Sequence, residues 1–109
     1  MPIDSIPELL AAYERNFVPE RAAGVNGTVQ LDLSGDGGGQ WVLEFKDQTF
    51  STREGSTEDP TVRVMADARD WIDMSVGNAN PMAMMMTGKL KMKGSIALAT
   101  KFNSLFKGR

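Results

Sequence analysis

Hydrophobic positions near the start of the chain recur with the period of an α-helix. They lie three or four residues apart, with polar residues between them: Ile6, Leu10, Tyr13 and Phe17. Ser5 and Glu8 have the spacing of a capping box, and Pro19 interrupts the pattern. The pattern therefore predicts an amphipathic helix of about three turns, followed by a short helical turn over 20–23.

From residue 26 the hydrophobic period falls to two, as in half-buried strands. Val29, Leu31 and Leu33 alternate with polar residues, and Trp41, Leu43 and Phe45 alternate with Val42, Glu44 and Lys46. A glycine-rich turn over 34–39 separates them, and Asp47-Gln48 leads to a third strand over 49–53. We expect these strands to form an antiparallel meander. Pro60 opens a fourth strand, with Val62 and Val64 facing inward.

The last third of the chain alternates between short helices and one strand. We predict helices over 68–76, 82–87 and 95–106, and a strictly alternating fifth strand over 89–93. The order of elements favours an α+β domain in which helices cover a sheet, and residues 1–109 are assigned to one domain.

The chain contains no cysteine and no histidine. These absences exclude disulfides, thiolate nucleophiles, Cys/His zinc sites and Ser–His or Cys–His catalytic pairs. No apolar run approaches the ~18 residues of a membrane span. Residues 1–5 lack the basic region of a signal peptide. The expected compartment is therefore the cytoplasm.

Charge is distributed unevenly along the chain. All 14 acidic residues and six of the 12 basic residues precede Gly88. The part of the chain before Gly88 therefore has a net charge of −8, and the remaining part has a net charge of +6. The basic end has two interpretations. It fits a weak contact with anionic membranes or phosphate. It also fits a solvated strand face followed by a lysine-rich helix end that complements the helix dipole. Nucleic acid is not expected as a partner, because no aromatic residue interleaves with Lys89, Lys91 and Lys93.

No segment carries a recognisable catalytic or metal-binding motif. The glycine-rich loop over 34–39 joins two strands and lacks the Gly-Lys-Ser/Thr ending of a phosphate loop. Paired acids such as Asp70 and Asp73, or Glu54 and Glu58, are typical of a solvated helix face or a polar loop. The sequence therefore predicts a protein that is not an enzyme, with no catalytic residues, no metal and no cofactor.

Methionine is concentrated in one segment, because five of the eight methionines fall between Met82 and Met92. Three consecutive helical residues such as 84–86 span about 200°, so they cannot all face one core. Methionine often lines surfaces that accept varied apolar partners, although it also fills gaps in ordinary cores. The final helix does not decide between these interpretations, because its apolar stripe suits either.

Residues 80–99 taken together resemble the sterol carrier protein 2 family. The matching features are Asn80-Pro81, a small hydrophobic helix, the Gly-Lys-Leu-Lys-Met-Lys-Gly segment over 88–94, and Leu98-Ala99 opening the last helix. The meander with Trp41 and the helix with Trp71 also fall where the family places them. The resemblance covers nearly the whole chain, and its carboxy-terminal motif is the specific part.

The resemblance implies a five-stranded, mostly antiparallel mixed sheet with an apolar tunnel between sheet and helices. It implies a ligand such as a fatty acid, fatty acyl-CoA, sterol or phospholipid. The residues then expected to line the tunnel are Phe17, Trp41, Leu43, Val64, Trp71, Met82, Met85, Met86, Leu90, Met92, Leu98, Phe102 and Leu105. The candidate headgroup contacts are Arg15, Arg21 and Lys101.

Two departures from the family bear on this expectation. The ending over 106–109 is not the peroxisomal targeting tripeptide of animal members, and the first helix carries several acids. Both features suit a bacterial-type, stand-alone member, present as a monomer or homodimer. The alternative is an auxiliary dimerisation or interaction module that supports a separate lipid-metabolising enzyme.

An empty tunnel would be costly, so we expect the free protein to collapse part of it or to carry a ligand. The expected movable walls are the helix over 82–87 and the final helix.

Overall fold

A computed structural model describes residues 3–107, with only the backbone described at Asn103. Residues 1, 2, 108 and 109, on which the expectations about the two ends of the chain partly rest, lie outside the described residues. The helices are α1 (Ile6–Asn16), α2 (Ala68–Ser75), α3 (Pro81–Met86) and α4 (Ile96–Lys101), with 3₁₀ helices at Pro19–Ala22 and Phe102–Leu105. The strands are β1 (Gly27–Ser34), β2 (Gly39–Lys46), β3 (Thr49–Glu54), β4 (Val62–Asp67) and β5 (Leu90–Gly94).

The strands form one mixed sheet in the order β3-β2-β1-β4-β5. β1, β2 and β3 make the predicted antiparallel meander, β4 runs parallel to β1, and β5 runs antiparallel to β4. The alternating apolar residues share one face because their register aligns them: Val29 lies opposite both Leu43 and Val62, and Val64 lies opposite Met92. The helices cover this face, which confirms the predicted α+β architecture.

Local signals in the sequence account for the amino-terminal ends of α1, α2 and α3. The Ser5 hydroxyl accepts a hydrogen bond from the Glu8 amide and donates one to the Glu8 carboxylate. Asp67 caps α2 by accepting from two amides of its first turn, and Asn80 caps α3 in the same way. The turn between β2 and β3 places Asp47 and Gln48 at φ values of 50° and 62°, as expected for a tight hairpin.

The final helix is shorter than predicted. The α-helical part ends at Lys101, and the chain continues as the 3₁₀ helix Phe102–Leu105. The last carbonyls are taken by partners outside the helix, because the Val18 amide donates to Leu105 O at 2.9 Å and Arg21 donates to Ser104 O at 3.3 Å. These tertiary hydrogen bonds favour the tighter turn. A second difference concerns the fourth strand, which begins at Val62, two residues later than predicted.

The uncovered face of the sheet carries the connection between β3 and β4. This connection must cross the sheet because β4 pairs with β1 and not with β3. Gln30 lies beneath it with no exposed surface, donating to Gly55 O at 3.3 Å and accepting from the Thr57 amide at 2.9 Å. Val42, opposite Gln30 in the register, is also buried. Sequence alternation predicts both as exposed, but the structure buries both, and Gln30 is covered by the crossing segment.

An ion pair stands beside this crossing segment. Arg63 Nη1 lies 2.6 Å from Asp32 Oδ2, and the amides of Gln40 and Gln30 donate to Asp32 Oδ1. Burial acts to raise the pKa of Asp32, but the hydrogen bond from Arg63, those from the two glutamines and the Arg63 charge outweigh it, so the pKa lies below its ordinary value. The cluster ties the parallel pair β1 and β4 together.

Candidate functional site

The space between sheet and helices is filled by an aromatic cluster. Its members come from the sheet, from α1 and α2 and from the carboxy-terminal segment: Tyr13, Phe17, Phe45, Phe50, Trp71, Phe102 and Phe106. The Phe102 ring lies 5.4 Å from that of Tyr13 and 5.3 Å from that of Phe106, measured between centroids. These spacings are within the range of favourable aromatic pairs.

Ten of the predicted tunnel-lining residues lie in or against this core. Seven are buried: Leu43, Val64, Trp71, Leu90, Leu98, Phe102 and Leu105. Three are partly buried against them: Phe17, Trp41 and Met92. Leu43 and Leu105 have no exposed surface, which leaves no room for a water molecule against them. The region where the family resemblance implies a tunnel is therefore closed around these side chains.

The remaining three predicted lining residues lie at the surface, on α3. Met82, Met85 and Met86 are 71%, 46% and 87% exposed, whereas Met84 is buried at 5%. A helix turns 100° per residue, so a six-residue helix with one side against the sheet must turn its other side to solvent. The sequence correctly indicated that the three consecutive methionines could not share one core, but it did not select Met84 as the buried one.

Lysines follow directly after this helix. Lys89, Lys91 and Lys93 are exposed, and Lys91 and Lys93 alternate with the inward-facing Met92 along the edge strand β5. The exposed side chains of this stretch of the chain are called the Met–Lys surface, a name that refers to their proximity in sequence: Met82, Met85, Met86, Lys89, Lys91 and Lys93. It combines exposed apolar side chains with three positive charges.

Polar groups also occur inside the helix layer. The Tyr13 and Ser75 hydroxyl oxygens lie 2.7 Å apart in a buried hydrogen bond. The indole nitrogen of Trp71 is buried, with no hydrogen-bond partner among the described residues. The sequence placed Tyr13 and Trp71 on inner helix faces but did not pair Tyr13 with Ser75, because 62 positions separate them.

Two surface clefts meet at the end of the sheet where β1 begins, and they share Asn26 and Thr61. The larger, about 400 Å³, lies against β2. The smaller, about 240 Å³, lies between the segment before β1 and α4 and is lined by Gly24, Val25, Asn26, Thr61, Ser95, Ala97, Leu98 and Lys101. Leu98 links this smaller cleft to the buried core, because its side chain is only 6% exposed.

The three candidate headgroup residues have different surroundings. Lys101 lines the smaller cleft together with Leu98. Arg21 donates to the carbonyl oxygens of Ser104 and Phe106, at 3.3 and 3.2 Å, and so holds the carboxy-terminal segment. Arg15 is exposed in the last turn of α1.

Within residues 3–107, no group of three or more acidic side chains is arranged to hold a metal ion. No helix in this range is long and apolar enough to cross a membrane.

Known proteins resemble this chain in sequence and fold. A profile of the SCP-2 sterol transfer family matches residues 7–107. The hydroxysteroid dehydrogenase-like protein 2 of Xenopus laevis is 33% identical over 101 residues, covering 92% of this chain but 24% of that protein. The chain thus spans about a quarter of the length of that curated relative.

Two solved structures share the fold over nearly all of the chain. Palmitated SCP2L2 from Aedes aegypti has a TM-score of 0.71 at 23% identity, covering 100% of this chain and 97% of that one. The sec-alkylsulfatase Pisa1 from Pseudomonas sp. has a TM-score of 0.82 at 14% identity, covering 94% of this chain and 16% of that one. At these identities the likeness concerns the fold alone. The profile match over 7–107, with the mixed sheet and its helix layer, shows that the chain belongs to the SCP-2 sterol transfer family.

Proposed function

We propose that residues 1–109 form one non-catalytic domain that binds and transfers a lipid, held between the sheet and the helices. The observation that carries this proposal is the character of the interior. Among the described residues, the buried polar or charged side chains are Gln30, which lies on the other face of the sheet, and Ser75. An interior without buried charge suits a hydrocarbon body and offers no obvious acid, base or nucleophile.

The closed core is consistent with a site that opens for its ligand. An empty, rigid tunnel of about 300 Å³ would cost roughly 7 kcal/mol, at about 24 cal/mol per Å³ of cavity. That cost is comparable to the total stability of a typical domain, roughly 5–15 kcal/mol. The free protein therefore gains by packing its own side chains into the space that the ligand would occupy.

The segment over 102–107 is the proposed movable wall. It contributes Phe102, Leu105 and Phe106 to the core, yet the rest of the fold holds it through few described backbone hydrogen bonds. The Lys107 amide donates to Asn16 O at 2.7 Å, and Val18 donates to Leu105 O. Displacing this segment would expose the aromatic cluster without breaking any strand pairing of the sheet.

The ligand headgroup is proposed to lie at the smaller cleft. Lys101 would pair with a carboxylate or phosphate there, and the apolar body would pass Leu98 into the core. Burying about 14 methylenes would contribute roughly 11 kcal/mol before the costs of association are subtracted. A fatty acid, fatty acyl-CoA or phospholipid fits this arrangement through its charge, and a sterol fits through its apolar body.

Native mass spectrometry of the purified full chain tests this proposal. We expect a 1:1 adduct with a lipid from the expression host, or with added hexadecanoic acid after delipidation. Lys101→Gln should weaken hexadecanoic acid binding severalfold, whereas Arg53→Gln, which removes an exposed charge on β3 outside both clefts, serves as the control. A stable dimer that neither retains nor accepts lipid would contradict the proposal.

That contradicting result would instead favour an auxiliary role. The relative from Xenopus laevis is about four times as long as the matched segment. This length difference is compatible with a module that dimerises or supports a separate lipid-metabolising enzyme.

The Met–Lys surface is proposed to make a weak contact with anionic membranes. Exposed methionines supply apolar area that can enter the interface between headgroups and acyl chains. A lysine near an anionic surface contributes about 1 kcal/mol of attraction. A protein partner for this surface is the competing outcome, but the charge of Lys89, Lys91 and Lys93 favours an anionic bilayer.

Vesicle co-sedimentation measures this contact. The full chain should bind vesicles rich in phosphatidylserine and leave vesicles of pure phosphatidylcholine unbound. Lys91→Gln combined with Lys93→Gln should reduce binding by roughly 30-fold, at about 1 kcal/mol for each charge. Lys46→Gln, on β2, should change it little. Equal binding to both kinds of vesicle would exclude the electrostatic contact.

A further inference from the structure

Trp71 carries a hydrogen-bond donor for which the described residues supply no acceptor. Its side chain is 3% exposed, and its indole Nε1–H has no acceptor among the described residues. Buried donors are nearly always paired, and leaving one unpaired costs about 1–3 kcal/mol. An unpaired donor inside a proposed binding region therefore indicates an acceptor that the ligand supplies.

The surroundings of Trp71 place its indole ring beside the proposed movable wall. Its ring centroid lies 6.3 Å from that of Phe102, the first residue of the carboxy-terminal 3₁₀ helix. Phe102 also contacts Tyr13 edge to face, and the Tyr13 hydroxyl meets Ser75 one helical turn beyond Trp71. When Phe102 moves away, Trp71 becomes part of the wall of the space it leaves.

We propose that Trp71 Nε1 donates a hydrogen bond to a neutral oxygen acceptor on the lipid, within the space that Phe102 now fills. The acceptor would be a ketone, ester or ether oxygen, or a hydroxyl oxygen. This inference rests on the proposed lipid-binding function and specifies the ligand class further. It gives the bound lipid a polar anchor inside the core, separate from the surface contact at Lys101.

The neutrality of the acceptor follows from the chemistry of the site. An indole nitrogen only donates, so it selects ligands with an acceptor and gives nothing to an ammonium group. A carboxylate would have to lose its hydration here, and among the described residues no lysine or arginine is buried to compensate it. Charged headgroups are therefore expected at the cleft, and neutral oxygens at Trp71.

A matched pair of ligands tests the inference. Binding of hexadecane and of 2-hexadecanone, both delivered from cyclodextrin, is measured for the full chain and for Trp71→Phe. We expect the ratio of ketone to alkane affinity to fall about five- to tenfold in Trp71→Phe, the effect of one hydrogen bond. The control is Val42→Ala, which removes buried side-chain volume on the face of the sheet away from the helices and should leave the ratio unchanged.

The infrared carbonyl band of bound 2-hexadecanone provides a second readout. It should lie at lower frequency in the natural protein and in Val42→Ala than in Trp71→Phe, because only the first two retain the Trp71 donor. If Trp71→Phe does not fold, the band of the ketone bound to the natural protein is compared with that of 2-hexadecanone dissolved in hexadecane, and a lower frequency in the protein is the expected result.

Three results would overturn the inference. Equal weakening of both ligands in Trp71→Phe would assign Trp71 to packing alone. A carbonyl band at the frequency of a free ketone would show that the donor is unused or is satisfied by water. If hexadecane binds but the ketone has no Trp71-dependent advantage, the inference fails while the proposed function stands; if neither ligand binds, both fail.

Discussion

Phe102→Ala is expected to lower the free energy of unfolding by about 3–5 kcal/mol, the usual cost of truncating a buried phenylalanine. Phe102 is 7% exposed and packs against Tyr13, Phe45, Trp71 and Phe106. The same change should strengthen the binding of an apolar ligand, because the missing ring leaves part of the proposed site already open. Loss of stability and gain of affinity should therefore occur together.

Urea denaturation with and without hexadecanoic acid measures both effects. A ligand that binds the folded protein raises its stability in proportion to the logarithm of ligand concentration over Kd. The ligand should therefore raise the unfolding midpoint of Phe102→Ala more than that of the natural protein. Phe50→Ala is the matched control, because Phe50 lies on edge strand β3 of the same cluster and is only partly buried. If the ligand stabilises Phe102→Ala no more than the natural protein, Phe102 does not occupy ligand space.

Gly94→Ala is expected to cost about 2–4 kcal/mol, combining backbone strain with overpacking. Gly94 has a φ of 116°, a conformation that residues with a side chain rarely adopt. A methyl group there would meet the carbonyl oxygen of Thr61 and lie 2.9 Å from the α-carbon of Val62. These backbone atoms lie at the start of β4 and directly before it, and the Ser95 amide donates to the same Thr61 carbonyl. Neither side can therefore move without disturbing the pairing of β4 with β5.

Gly88→Ala is the control for this prediction. Gly88 closes the other end of the glycine–lysine segment with a φ of 79°, but no atom lies within 4 Å of the added methyl group. The Gly88→Ala substitution should therefore lower the free energy of unfolding only by the left-handed backbone strain, about 1–2 kcal/mol. Unfolding midpoints in urea compare the two variants directly. If Gly94→Ala and Gly88→Ala lose the same stability, the close approach to Thr61 has no energetic importance.

The proposed function depends on a balance between packing and opening. The aromatic cluster gives the free protein a closed core, and a ligand must displace some of that packing to enter. Phe102 links the two states, because it contacts the indole of Trp71 and belongs to the segment that Arg21 holds. The same residues that stabilise the free protein would therefore limit how tightly a lipid binds.

Much of the fold could be predicted because its signals are local. The caps at Ser5, Asp67 and Asn80, and the alternation of apolar residues in the strands, depend on neighbours within a few positions. The antiparallel meander follows from short turns, such as the one at Asp47 and Gln48. The glycine–lysine segment over 88–94 supplied the specific resemblance to the family.

Less of the site could be predicted, because burial there depends on contacts between distant parts of the chain. Alternation placed Leu43, Val64 and Leu90 on the inner face, but the lining set expected from the family resemblance also included Met86, which is exposed. Helical periodicity cannot select Met84 over its neighbours, since the position of α3 against β5 decides which side is covered.

The sequence alone determined the family, the number and type of the strands and the apolar character of the interior, since these follow from local pattern and composition. Only the tertiary structure decided that the interior is closed by Phe102 and Leu105, that Gln30 is buried beneath a crossing segment, and that the Trp71 donor has no partner among the described residues. Each of these depends on atoms far apart along the chain, which are brought together only by the packing of the helices and of the crossing segment on the two faces of the sheet.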